Sequence, residues 1–145
     1  MSNKLVKPQQ QNNVIVVDDG SKAYDIVNKR GEKLGVFEFR PSDTNIVKRY
    51  EEVVEFFNNF TVPEDTDQAI QTAEKEMVDK MSYLIGGDAE EAFFSIMGPF
   101  SALASGELFI ENVLNAIAKV IEKEMSVRTK RVRRRMNKYV AKYHK

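Results

Sequence analysis

The stretch KLGVFEFRPSDTNIVKRYEEVVEFF, residues 33–57, decides the fold, because the spacing of its apolar side chains changes partway along it. Over residues 33–39 the alternation places Phe37 and Phe39 on one face and Leu34, Val36 and Glu38 on the other, a half-buried β-strand. After Arg40-Pro41 the period lengthens. Ile46, Val47, Tyr50, Val53, Val54, Phe57 and Phe60 recur every three or four residues, the stripe of an amphipathic helix. Ser42, Asp43 or Thr44 can accept from its first free amides.

Toward the N-terminus, VIVV at 14–17 and KAYDIVN at 22–28 flank DDGS, whose Asp-Gly step suits a tight turn. These segments predict a hairpin, and KRGE leads on to the strand at 33–39. The expected sheet therefore has about three antiparallel strands.

Toward the C-terminus, a helix is expected near Asp65, with Gln68 at capping-box spacing. It turns Ile70, Ala73, Met77, Met81 and Leu84 inward and stops at Gly86-Gly87. Asp88 with Glu91 starts a short helix through AFFSIM, ended by Gly98-Pro99. The loop GPFSALASGE follows, with Phe100 and Leu103 expected to tuck under neighbouring helices.

From about Glu107 to Tyr143 no glycine or proline intervenes. Val113, Ile117, Val120, Ile121, Met125, Val132, Met136, Tyr139 and Tyr143 keep nearly one helical face, predicting one long helix or two joined near Ser126. A continuous helix would run roughly 55 Å, beyond the roughly 30 Å width of a small domain. The reading is α+β: a small N-terminal antiparallel β-sheet, then a helical bundle with a long C-terminal helix. Residues 1–13 are expected to be a flexible N-terminus, 14–125 a single α+β domain, and 126–145 a basic amphipathic C-terminal helix extension.

Composition narrows the chemistry. The 145 residues hold no cysteine, which leaves no disulfide, thiolate nucleophile or sulfur metal site, and the single histidine is His144. That histidine, one residue from the end, is a poor general base. No G-x-S-x-G turn, phosphate loop or dinucleotide fingerprint occurs. The acid pairs Asp18-Asp19, Glu51-Glu52, Asp65 with Asp67, and Glu90-Glu91 fall in a turn, on a polar helix face, and at helix starts, where the helix dipole favours them. Met77 and Met81 read as core filling. The expectation is a non-enzyme without cofactor or metal. No apolar run approaches the roughly 20 residues that span a bilayer, and no signal-peptide pattern opens the chain, so a cytoplasmic protein is expected.

The charge is divided sharply. Residues 1–125 carry 22 acids and 13 bases, a balance of −9, and the last twenty carry nine bases and no acid. Arg128, Lys130, Arg131, Arg133, Arg134, Arg135 and Lys138 interleave with Val132, Met136, Tyr139 and Tyr143, so the bases flank an apolar seam. That pattern favours a protein partner or self-association, by attraction between the basic helix and an acidic body. Nucleic acid is a second reading, because such a run of cations gives a steeply salt-dependent affinity, and a basic face that meets only solvent is a third.

The order of features resembles that of the small tail assembly chaperones of long-tailed phages and prophages of Gram-positive bacteria. Phe37, Phe39, Pro41, Asp43, Asn45, Tyr50 and Glu51 match the aromatic strand end and helix start of that family, and Met81, Leu84, Gly86, Glu91 and Phe94 approximate its helix break and second motif. The resemblance covers roughly residues 30–125; the basic tail departs from it. It implies a protein that binds the tape-measure protein, keeps its apolar helices soluble, and gives way to the tail tube protein. Phe100, Leu103, Phe109, Val132, Met136, Tyr139 and Tyr143 are the partner-binding candidates. A structural tail or connector component and a nucleic-acid-binding accessory protein are the alternatives.

Overall fold

A computed structural model describes residues 13–61 and 65–143; in the last helix beyond residue 131 only the side chain of Arg134 is described. The flexible start expected at 1–13 lies outside this range except for Asn13, as does His144. So do the side chains of Val132, Arg133, Arg135, Met136, Lys138, Tyr139 and Tyr143.

Two strands form, β1 (Lys22–Val27) and β2 (Lys33–Phe39), followed by α1 (Thr44–Asn59), α2 (Asp67–Ile85), a single π-helical turn (Glu90–Phe94) and α3 (Phe109–Tyr143). The α+β class is the observed one. β1 and β2 pair antiparallel with Tyr24 opposite Phe37, around a turn in which Asn28 accepts from the amides of Arg30 and Glu32. The alternation works as read, with Phe37 and Phe39 packed inward and Leu34 and Val36 exposed.

The sheet has two strands among the described residues, not three. Residues 14–17 are unpaired and exposed. The physical reason lies in DDGS. Asp18 and Asp19 accept from the amides of Gly20 and Ser21, and Asp19 also binds Arg40 at 2.7 Å. With Lys22 already opposite Phe39, these ties keep 18–21 alongside the continuation of β2 instead of turning it back along β1.

Each helix starts on a local acceptor. Asp43 caps α1 through the amide of Asn45 and Thr66 caps α2 through that of Ala69, one residue beyond the expected Asp65. Gly86 ends α2 in the left-handed conformation, φ +69°. The short helix read at AFFSIM is only the π-helical turn; Asp88 accepts from the Glu91 amide at its start. For α3, the Glu111 carboxylate accepts from the Leu108 amide. α3 is continuous through Ser126, so one helix forms rather than two, and its 35 residues span about 52 Å.

The core lies between α1, α2 and the first half of α3. Ile46, Val53, Met81 and Leu84 have no exposed surface, and Ile110, Val113, Ile117 and Ile121 bring in α3. Full burial of such a side chain contributes roughly 1.5–3 kcal/mol. Met125 is the last described apolar residue of α3 packed on this core.

Candidate functional site: an aromatic groove between the sheet and the long helix

A two-stranded ribbon has one inner face, and here that face is aromatic. Tyr24 and Ile26 from β1 and Phe37 and Phe39 from β2 point the same way because strand side chains alternate. Phe37 and Phe39 stack with centroids 5.1 Å apart, Tyr24 lies 5.2 Å from Phe39, and Phe93 of the π-helical turn meets Phe37 edge-on at 4.8 Å. The π-helical turn thus supplies the end wall. Opposite, α3 contributes Ala116, Ile117 and Val120.

Between them runs a groove of about 240 Å³. Phe39, Phe93 and Ile117 are buried and make its floor; Tyr24, Ile26, Phe37 and Val120 are half-buried and leave apolar surface open. Among the described residues, Asp25 is the only charged one on its lining. Burial pushes the Tyr24 hydroxyl up from its usual pKa, partly offset by nearby Lys22. Lys22 itself donates to Glu124 at 2.5 Å, which raises its pKa and ties β1 to α3 beyond the groove.

Such a groove can bury apolar side chains. Enclosed ligand pockets usually hold ~300–1,000 Å³, so this space suits side chains projecting from a peptide better than a whole cofactor. Among the described residues no group of three or more His, Asp or Glu side chains comes together as a metal site would require.

The residues singled out from the sequence are distributed differently. Phe100 lines a second cleft of about 430 Å³, with Tyr50, Val54, Phe57 and Met77, and with Asn58, Glu111 and Asn115 on its lining. Phe109 packs edge-on against Phe94, centroids 5.9 Å apart, and Leu103 is half-buried in the loop before α3. Of these three, Phe100 alone lines that cleft. Of the basic group, Lys130, Arg131 and Arg134 are exposed and Arg128 is half-buried. Arg131 is close enough to Lys22 to oppose its charge.

The groove residues were not singled out as a site, because they come from segments as far apart as Tyr24 and Val120. One signal was available: the alternations of KAYDIV and KLGVFEF give a common aromatic face once the strands are paired. No helix among the described residues is long and apolar enough to cross a membrane. Comparison with protein-family models, with curated proteins and with solved structures returned no match for this chain.

Proposed function

We propose that this chain is a non-enzymatic binding protein that holds apolar faces of client helices in the aromatic groove, and that it serves as a phage tail assembly chaperone for the tape-measure protein in the host cytoplasm. The observation that carries the binding role is the half-open line of Tyr24, Ile26 and Phe37 facing Val120 across an apolar floor. An amphipathic helix laid into a groove buries its i, i+3 and i+4 side chains in this way. The tape-measure client and later displacement by the tail tube protein rest on the motif resemblance over residues 30–125. A modest groove fits that role, since a client that must be released is better held by several weak contacts than by one strong one.

The test is co-expression with a long, helix-rich tape-measure open reading frame, followed by solubility and pull-down assays. Rescue by the wild-type chain and loss of rescue with Val120→Glu support the reading. Rescue without dependence on Val120 removes the groove from it, and no rescue at all removes the client.

The basic half of α3 favours a second reading, because Lys130, Arg131 and Arg134 are exposed on a helix that continues past the core. Nucleic-acid binding that weakens steeply with salt and is lost in Arg131→Glu/Arg134→Glu would support it. Presence of the protein in purified particles would instead indicate a structural tail or connector component.

A further inference from the structure

We propose that two copies of this chain pair by strand exchange, residues 14–17 of each adding to the free edge of β1 in the other. The segment is Val-Ile-Val-Val, among the strongest strand-forming compositions, yet Ile15 is 90%, Val16 82% and Val17 73% exposed. Among the described residues its main chain makes no hydrogen bond. It is an apolar strand without a sheet.

The same chain displays a sheet short of a strand. Among the described residues β1 pairs only with β2, and a two-stranded ribbon is marginal without further support. Its outer face carries exposed apolar residues, Val27 at 54%, Val36 at 53% and Leu34 at 43%, beside the charged Asp25 and Glu38. An open strand edge is a template for another strand.

The segment does not reach its own β1 edge. Asp19 is held by Arg40, and a Cβ on Gly20 would lie 3.2 Å from Ser42 Oγ, so 18–20 stays against the residues that follow β2. The chain is thereby led past the sheet, and 14–17 extends about 13 Å beyond this anchor. A second copy can offer the edge that its own fold does not. Alternation then places Ile15 and Val17 on one face of the added strand and Val14 and Val16 on the other, so one pair joins the exposed apolar residues Val27, Val36 and Leu34 on the outer face. The exchange is reciprocal, giving a closed two-fold dimer rather than an open chain. The third strand expected from the sequence is supplied by the partner copy. This pairing does not depend on the identity of any client.

The absence of cysteine makes the test clean. Full-length Val16→Cys is mixed with full-length Asp25→Cys and oxidised, with Gln71→Cys on the exposed face of α2 in place of Asp25→Cys as control. The expected result is a mixed disulfide formed at least about tenfold faster than with the control. Sedimentation equilibrium should show a dimer that Ile15→Lys/Val17→Lys weakens by more than about tenfold, as loss of two buried aliphatic contacts per strand requires. The variant sites are exposed in the single chain, so circular dichroism should be unchanged. Three results would overturn the proposal: a monomer at every concentration, a dimer indifferent to the lysines, or a Val16→Cys/Asp25→Cys double variant that closes its disulfide within one chain at high dilution.

Discussion

Lys22 Nζ lies 2.5 Å from Glu124 Oε1, joining the first residue of β1 to α3 immediately before the helix turns basic. The pair lies beyond the aromatic groove and one residue before Met125, the last described apolar residue of α3 packed on the core. The Lys22 side chain is 53% exposed, so the bridge is a positional tie more than a source of stability. Lys22→Met should leave the urea unfolding midpoint nearly unchanged. A clear drop would mean that the sheet depends on this contact to stay docked.

Stability should instead follow the α1–α2–α3 contact. Leu84 has no exposed surface and sits one residue before the end of α2. Leu84→Ala should cost about 2–5 kcal/mol, measured by chemical denaturation, whereas Val36→Ala on the exposed sheet face should cost far less. Equal losses at the two positions would contradict the assigned core.

Gly86 ends α2 at φ +69°, and a Cβ there would meet nothing within 4 Å. Gly86→Ala should therefore destabilise by about 1–2 kcal/mol through backbone strain alone, with Gly86→Asn costing less. Thermal unfolding of the pair checks this; an alanine variant as stable as wild type would rule out the left-handed cap.

Asp19 has its pKa held down from 3.8 to about 2 by hydrogen bonds from the Ser21 hydroxyl and amide, and then by Arg40. A depressed carboxylate contributes stability that is fully present above its ordinary value and is lost as pH falls through the folded one. The anchoring of residues 18–21 should accordingly weaken between about pH 4 and pH 2. NMR titration of the Asp19 carboxyl should give a midpoint that rises in Ser21→Ala and in Arg40→Gln. An unperturbed midpoint in wild type would undo the explanation of why 14–17 misses its own sheet.

Much of the architecture was legible in the sequence because it is written in local spacing. The change of period after Phe39, the cap at Asp43, the stop at Gly86 and the uninterrupted run into α3 each depend on a few neighbouring residues. The third strand failed for a non-local reason. Asp18-Asp19-Gly20-Ser21 has turn chemistry, but Arg40, which follows β2, holds Asp19, and Gly20 lies close against Ser42, which no pattern within 14–28 records. The groove escaped for a similar reason: Tyr24, Phe37, Phe93 and Val120 come from separate segments, and only the packing of β1, the π-helical turn and α3 leaves their shared face half-open.

The central claim is that this half-open face holds an apolar client helix. It is tested most directly by co-expressing the tape-measure open reading frame with either the wild-type chain or a folded Val120→Glu variant and measuring the soluble, co-purifying client. Val120 is half-buried on the groove wall, so the account predicts rescue by wild type and at least about a tenfold loss of co-purification with the glutamate, whose charge would be desolvated on binding. Equal rescue by both proteins would contradict it.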